Sequence, residues 1–393
     1  MNVHIVKPSG LVQDSRLAAR LFASFLCFCV MAGDLLYGQL RTTAFQAPGP
    51  GDGPTKGGAS ASPYKLVWKR HFELQGGLVP VGTADEDGGL WLITQLGPGK
   101  PKEFLTRIDS GGQLTANYDP QVPLKPTEWV DYLSPAASGR SIGLLASLVS
   151  GGQQQTFEGA FFVPVRPDGL GAPRRVAGRG PRFPTLIGTG SEEFIAAGDQ
   201  EPLTLLKLDS TGTLLWRRSF SRNLVLPTVA VSADRKILVV SQGGSYLQVR
   251  LLDESGRPLL SKKIAARQGT VAADTGGGWS ILLSKGVTGE ENRVYLIALD
   301  PTLRQSNEVE TPLRGRGGRT YQLISTPHGH LIIGEGPDGR RQTIAEFDSS
   351  GKLMWQQARS DRFTPLLVPF RFGFYIVNDV SGREGMDVEK YLY

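Results

Sequence analysis

One twelve-residue phrase recurs along this chain and limits the folds that are open to it. It is clearest at Leu205 to Trp216, L-L-K-L-D-S-T-G-T-L-L-W, where a short apolar strand, a turn and a returning strand predict a β-hairpin. The aspartate at the turn entry can bond its own backbone, and the glycine at the exit accepts a positive φ. The spacing is typical of a type I turn closed by a glycine bulge.

The phrase returns in register elsewhere in the chain. Copies that keep both turn residues are Asp109 with Gly112, Asp253 with Gly256, and Asp348 with Gly351. Two eroded copies have Arg166 with Gly169, and Asp300 with Leu303. A second signal, a turn followed by an apolar run, falls between the hairpins and begins at Gly88, Gly139, Glu192, Asp234, Gly277, Gly329 and Phe372. Each period of roughly 40 to 57 residues therefore holds two hairpins, or four strands.

The two ends of the repeat region predict a closed ring. Residues 64–74 match the strand that follows Gly212, yet no partner strand precedes them. Phe374 to Asn378 and Met386 to Tyr393 would supply the inner and third strands of a last blade that lacks a fourth. We predict an all-β, seven-bladed β-propeller of four-stranded antiparallel blades, in which Lys65 to Phe72 pairs with Val388 to Tyr393 and leaves no open edge.

Residues 1–63 have a different composition from the repeats. Leu21 to Gly33 is an apolar run of 13 residues that follows Arg16 and Arg20. It is typical of a secretion signal and short for a membrane span. We therefore predict a signal peptide or signal anchor at 1–39, a disordered Pro/Gly/Ser-rich linker at 40–63, and the propeller at 64–393. The chain would be exported to the periplasm, cell surface or extracellular space, with tethering by an uncleaved signal as the alternative.

Both cysteines, Cys27 and Cys29, lie inside this apolar run. A chain cleaved after the run would contain neither a disulfide nor a thiolate metal site.

The repeat pattern resembles that of exported bacterial propellers of the pyrroloquinoline-quinone-like superfamily. The shared motif is V-x-x-L-D-x-x-G-x-x-x-W followed by D-G-G and two apolar residues, and the resemblance covers residues 64–393. That superfamily includes quinone-dependent alcohol dehydrogenases and outer-membrane assembly lipoproteins. The dehydrogenases carry a disulfide of adjacent cysteines and calcium ligands, whereas the assembly lipoproteins carry a lipidated cysteine. Because both cysteines of this chain lie in the predicted signal segment, the resemblance implies the fold without the catalytic site.

Several residues invite a functional interpretation. His328 and His330 have no third metal ligand nearby in sequence, and Asp85 to Gly88 lacks the spacing of a calcium loop, so we predict no metal site. Arginines in loops on one face could hold an anionic partner, because guanidinium groups suit carboxylate, sulfate and phosphate. These candidate binding residues are Arg179, Arg182, Arg314, Arg316, Arg319, Arg340 and Arg341. Trp68, Trp216 and Trp355 share one repeat position and are predicted to pack between blades.

The sequence favours a non-enzymatic, exported propeller that binds or scaffolds a partner. The alternatives are an enzyme with an axial site, either quinone-dependent or acting on glycans, and an envelope assembly factor. We expect no cofactor, and a monomer without a stable transmembrane domain beyond the N-terminal segment. A net charge of +6 falls short of a nucleic-acid footprint, so the expected partner is a protein or an anionic glycan or lipid.

Overall fold

The computed structural model describes most of the repeat region. The described residues are 62–73, 78–96, 102–151, 155–166, 168–220, 225–285, 292–315, 321–337, 341–361, 364–379 and 385–393. The predicted signal segment and all but two residues of the predicted linker lie outside them. None of the described residues belongs to a helix with the length and hydropathy that crossing a bilayer requires.

The described strands form seven separate antiparallel sheets, which confirms the predicted seven-bladed propeller. The first blade contains β2 (Leu78–Ala84), β3 (Leu90–Leu96), β4 (Lys102–Ile108) and β5 (Leu114–Tyr118). The second contains β6 (Glu128–Ser138), β7 (Ser141–Ser150), β8 (Thr156–Arg166) and β10 (Arg174–Ala177), with the short β9 (Gly169–Leu170) also paired to β8. The third contains β11 (Thr185–Gly188), β12 (Glu193–Ala197), β13 (Thr204–Asp209) and β14 (Leu214–Ser219).

The next three blades repeat this order without an interruption. The fourth contains β15 (Val225–Val231), β16 (Ile237–Gln242), β17 (Leu247–Leu252) and β18 (Pro258–Ile264). The fifth contains β19 (Gln268–Ala273), β20 (Trp279–Lys285), β21 (Asn292–Leu299) and β22 (Gln305–Gly315). The sixth contains β23 (Gln322–Thr326), β24 (Gly329–Glu335), β25 (Gln342–Asp348) and β26 (Leu353–Arg359). The first strand of each blade contacts the first strands of its neighbours, so it is the inner strand of the ring.

The seventh blade joins the two ends of the propeller. It contains β27 (Leu366–Phe370), β28 (Gly373–Asp379), β29 (Met386–Leu392) and β1 (Lys65–Phe72). The strands β1 and β29 pair along their length, from Lys65 opposite Leu392 to Phe72 opposite Met386, which confirms the predicted closure. One detail of the prediction is wrong: Phe374 to Asn378 lies in the second strand, because the apolar stretch β27 forms the inner strand before it.

The outer hairpin of the third blade shows why the recurring phrase folds as it does. The main-chain N–H of Gly212 donates to the carbonyl of Asp209 at 3.0 Å, and the Asp209 carboxylate accepts from the main-chain N–H groups of Thr211 and Thr213 at 2.8 Å each. Gly212 has a φ of +80°, a conformation that residues with a Cβ resist. The aspartate and glycine of the phrase therefore build the turn and need no other function.

Packing between neighbouring blades uses the tryptophan of the phrase, as predicted. The indole N–H of Trp216 donates to the carbonyl of Glu254 in the fourth blade at 3.0 Å. Likewise, Trp68 of the seventh blade donates to Ser110 of the first blade at 3.2 Å. Trp355 of the sixth blade meets Tyr64, which precedes β1, edge-on at 6.1 Å between ring centroids. These contacts lock each outer strand to the next blade and hold the turns of one face in fixed positions.

Candidate functional site

A pocket of about 480 Å³ lies between the fifth and sixth blades, on the face that carries the turns after the inner strands. Four turns line it, because the links β19–β20, β21–β22, β23–β24 and β25–β26 all emerge on this side. Its volume falls in the range of small-molecule sites. The polar side chains around it are Asp274, Thr275, Asp300, Ser306, His328, His330 and Ser349.

Two side chains, Asp274 and His330, meet in the polar part of the pocket lining, and the Asp274 side chain is 21% exposed. His330 is 5% exposed, and its Nδ1 lies 3.7 Å from Oδ1 of Asp274. Ser280, on the strand after Asp274, completes the cluster: its Oγ lies 3.1 Å from Nε2 of His330 and 3.2 Å from Oδ2 of Asp274. The cluster joins the turn of one blade to the second strand of the next.

The single hydroxyl proton of Ser280 cannot satisfy both of its neighbours. If Ser280 donates to Asp274, it accepts from Nε2 of His330, and Nδ1 is then a lone-pair acceptor that faces a carboxylate oxygen. If Ser280 donates to His330 instead, Oδ2 of Asp274 loses its donor. Among the described residues, neither Oδ1 of Asp274 nor Nδ1 of His330 has a hydrogen-bond partner, although both atoms are buried. A buried acceptor left in this state is costly, and the Ser325 hydroxyl, whose hydrogen bonding lowers the pKa of Asp274, is a protein donor for this carboxylate.

Because His330 is buried, its imidazole stays uncharged and cannot balance the charge of the Asp274 carboxylate. Burial lowers the pKa of His330 below its usual 6.5, and the nearby Asp274 carboxylate offsets only part of this effect. Burial also raises the pKa of Asp274 above its usual 3.8, with the charge of His330 acting in the opposite direction. His330 is therefore neutral at neutral pH, and this part of the lining presents oxygen and nitrogen acceptors without a protein cation.

The rim adds a second carboxylate to the pocket. Asp300 accepts from the main-chain N–H groups of Thr302 and Arg304, at 2.8 and 2.9 Å, and from the Thr302 hydroxyl at 2.7 Å. These hydrogen bonds, led by the Thr302 hydroxyl, lower the pKa of Asp300 and keep it ionised. His328 stands exposed on the same rim. In the part of the chain that the structure describes, no three His, Cys, Asp or Glu side chains are grouped to hold a metal ion.

The predicted arginine site is spread over several blades. Arg179 and Arg182 lie in the link between the second and third blades, whereas Arg314 lies within the outer strand β22 and Arg341 directly precedes β25. Arg316, Arg319 and Arg340 lie outside the described residues. Binding of an anionic partner by this set stays a prediction.

The described arginines of this set differ in their contacts with neighbouring side chains. Arg182 sits 2.9 Å from Asp131 and 3.8 Å from Asp199, and its guanidinium lies over the ring of Tyr132. Arg314 lies 3.3 Å from Glu310. The Arg179 side chain is 71% exposed, with Glu158 at 3.8 Å. Arg179 therefore offers the most accessible charge of the three.

The sequence gives little warning of the Asp274–His330 pair. The one signal is the residue type at the entry of the turn after the inner strand. Blades two, three, four and six have a hydroxyl residue at this position, whereas the fifth blade has Asp274 and the first blade has Asp85. The hydroxyl equivalents are Ser138, Thr189, Ser232 and Thr326.

Comparisons with known proteins show the fold and nothing finer. No protein-family model matches the sequence, and no curated protein matches it. Among solved structures, virginiamycin B lyase from Staphylococcus aureus is 10% identical, over 83% of this chain and 99% of that chain, with a TM-score of 0.53. A streptogramin B lyase structure is 11% identical, over 82% and 97%, with a TM-score of 0.50. BamB from Moraxella catarrhalis is 12% identical, over 84% and 100%, with a TM-score of 0.48.

These identities are too low to carry a function from any of the three proteins to this chain. The resemblance to the pyrroloquinoline-quinone-like superfamily accordingly remains a prediction beyond the propeller fold itself.

Proposed function

We propose that this chain is an exported, non-enzymatic binding propeller whose ligand inserts a positively charged, hydrogen-bond-donating group, such as an amine, between the fifth and sixth blades. The supporting observation is that two carboxylates, Asp274 and Asp300, line a pocket of ligand size that no lysine or arginine lines. An ammonium group has three N–H donors and no acceptor, so it can pair with carboxylate oxygens and balance their charge.

Charge at the rim supports the same ligand class. The ionised Asp300 lines the same pocket as Asp274, and the residues that line the pocket include neither lysine nor arginine. A cationic ligand would therefore meet two carboxylates and no repelling side-chain ammonium or guanidinium group. An anionic ligand would meet two like charges, which disfavours it in this pocket.

The same geometry argues against nucleophilic catalysis. Ser280, His330 and Asp274 include the residue types of a serine hydrolase triad, and Ser280 contacts the imidazole. However, Ser280 is fully buried with 0% exposure and is absent from the pocket lining, so no substrate carbonyl can reach its Oγ. The three side chains form a hydrogen-bonded network between two blades.

Calorimetric titration of the full-length chain with matched ligands tests the proposal. Putrescine and spermidine should bind, whereas 1,4-butanediol, which has the length of putrescine without its charge, should not. Asp274→Asn should weaken amine binding by at least about tenfold, since a charge-assisted hydrogen bond becomes a neutral one. Asp85→Asn, at the equivalent turn of the first blade, serves as the matched control and should bind like the wild type.

Two results would count against the proposal. One is equal binding of putrescine and the diol, and the other is unchanged amine affinity in a folded Asp274→Asn variant. Thermal melts of all variants establish that the compared proteins are folded.

An acid–base enzyme at the same pocket is the second candidate, because a neutral imidazole beside a carboxylate can accept a proton. The active site of such an enzyme would lie on the face that carries the turns, whereas the sequence analysis placed it at the ring axis. Turnover of a pocket ligand that disappears in His330→Gln while its binding persists would favour the enzyme over the binding module. The assembly-factor alternative stays a prediction, since no described feature favours it.

A further inference from the structure

The outer strands of blades two, three and four form a basic wall on the circumference of the ring. Each carries two adjacent cations and no carboxylate: Arg174 and Arg175, Arg217 and Arg218, and Lys262 and Lys263. The neighbouring strands differ, because β22 of the fifth blade carries Glu308 and Glu310, and β26 of the sixth blade has glutamines at the equivalent positions. The outer strand β1 of the seventh blade also carries a cation pair, Lys69 and Arg70, but Lys69 lies 2.8 Å from Glu389. Cation pairs in which neither member is within ion-pair distance of a described carboxylate therefore lie on three consecutive blades.

These six cations form no ion pairs with the described carboxylates of the protein. None of them lies within ion-pair distance of a described carboxylate. Their contacts are with neutral groups instead: Arg174 donates to the Thr213 hydroxyl, Arg218 to the Ser255 carbonyl, and Lys262 to the Leu303 carbonyl. Each head group consequently keeps donors for a partner outside the protein.

Exposed leucines accompany the cations on two of these strands. Leu214 and Leu215 are 44% and 46% exposed, and Leu259 and Leu260 are 43% and 41% exposed. One residue separates each leucine pair from the following cation pair. At roughly 3.3 Å per strand residue, leucine and cation lie about 7 Å apart along the strand. The wall thus combines an apolar edge with a basic band behind it.

We propose that this wall, the outer strands β10, β14 and β18, docks on the surface of an anionic lipid bilayer. Leucines set beside a band of Lys and Arg match the boundary between acyl chains and phosphate head groups, where apolar burial and attraction to anionic lipid act together. A soluble polyanion would satisfy the cations and leave the four leucines in water. The surface is separate from the pocket between blades five and six and does not depend on the ligand proposed there.

Flotation of the full-length chain with lipid vesicles tests this surface. The chain should float with vesicles of phosphatidylcholine mixed with phosphatidylglycerol and should bind vesicles of phosphatidylcholine alone more weakly, and added salt should reduce the difference. Arg217→Gln combined with Lys263→Gln should weaken binding to the anionic vesicles by roughly 25-fold at low salt, since each basic contact contributes about a fivefold factor. Leu215→Ser combined with Leu260→Ser should weaken it by at least about tenfold.

The sixth blade provides matched controls at the same repeat positions. Leu353→Ser with Met354→Ser removes an exposed apolar pair of similar exposure, and Gln356→Glu with Gln357→Glu adds charge where the wall has cations. Both double variants should bind anionic vesicles like the wild type, because this blade lies outside the proposed arc.

Three outcomes would overturn the proposal. They are equal binding to the two vesicle types, equal losses in the sixth-blade controls, and binding that heparin abolishes while the leucine variants bind normally. The last result would identify a soluble polyanion as the partner. Circular dichroism and thermal melts of each variant show that a loss of binding is not a loss of fold.

Discussion

The turns that begin at Asp85 in the first blade and at Asp274 in the fifth blade have the same backbone and different chemistry. In both, the aspartate N–H donates to the carbonyl of the glycine four residues on, and the N–H of the glycine three residues on donates to the aspartate carbonyl. The Asp85 carboxylate accepts from the Gly89 N–H at 2.6 Å and from the Trp91 indole at 3.0 Å, with Arg107 at 3.6 Å.

At Asp274 the donors that satisfy Asp85 are replaced. Ser280 stands where the first blade has Trp91, and His330 of the next blade approaches in place of an arginine. The fifth-blade carboxylate is left with a buried oxygen that has no partner among the described residues. The aspartate at this repeat position therefore has different hydrogen-bond partners in the two blades, and the neighbouring side chains decide which.

The largest expected contrast is the stability cost of removing each carboxylate. Asp85→Ala should lower the free energy of unfolding by about 2 to 3 kcal/mol, because it leaves the Gly89 N–H and the Trp91 indole N–H without acceptors. Asp274→Ala should cost less than about 1 kcal/mol, since it removes a buried carboxylate that is only partly satisfied. Urea unfolding of both variants measures the difference, and equal costs would remove the distinction between the two turns.

A smaller effect is expected when the first-blade turn is made to resemble the fifth. Trp91→Phe deletes the indole N–H and keeps an aromatic ring, so the Asp85 carboxylate loses one donor. We expect a loss of about 1 to 2 kcal/mol. Trp279→Phe, another buried tryptophan, has no hydrogen-bond partner for its indole N–H among the described residues and is the control for ring size. If both variants lost the same stability, the hydrogen bond to Asp85 would not matter.

The smallest expected effect is a dependence on pH. Because burial raises the pKa of Asp274, the folded chain holds this proton more tightly than the unfolded chain. The carboxyl thus contributes stability below its usual pKa of 3.8, and this contribution is lost as the pH rises through the raised pKa. Asn at this position cannot titrate, so the stability of the wild type relative to Asp274→Asn should fall over that interval.

Titration of His330 should change the stability in the opposite direction with pH. Burial lowers its pKa, so its contribution is lost as the pH falls below 6.5. Unfolding of the wild type, Asp274→Asn and His330→Gln in urea across this range separates the two groups. If the free energy of unfolding of the wild type instead rose relative to that of Asp274→Asn with rising pH, the assignment for Asp274 would be wrong.

Local physics explains why the architecture could be predicted from the sequence. The Asp209 turn is specified by two residues three positions apart, and the unpaired strand at Lys65 required a partner that only the other end of the repeat region could supply. Both predictions rest on backbone hydrogen bonding, which short sequence patterns indicate directly.

The candidate site depends on side chains that the repeat does not specify. Asp274 and His330 are 56 residues apart on different blades, and their contact follows from how two blades pack. The sequence pattern also placed Arg314 in a loop, whereas the structure has it in the outer strand β22, and Arg174 and Arg175 lie in the outer strand β10. As a result, the basic wall on blades two to four was not visible until the strand order was known.

Closure of the ring by the pair β1 and β29 also sets an order in time. Some 320 residues separate the two strands, so at a synthesis rate of 5 to 20 residues per second β1 waits roughly 16 to 64 s before its partner exists. Throughout that interval an edge bearing Leu66 and Val67 is unpaired. A chaperone, or passage through a narrow channel, that shields this strand during the delay would raise the yield of closed rings more than it would speed the folding of any interior blade.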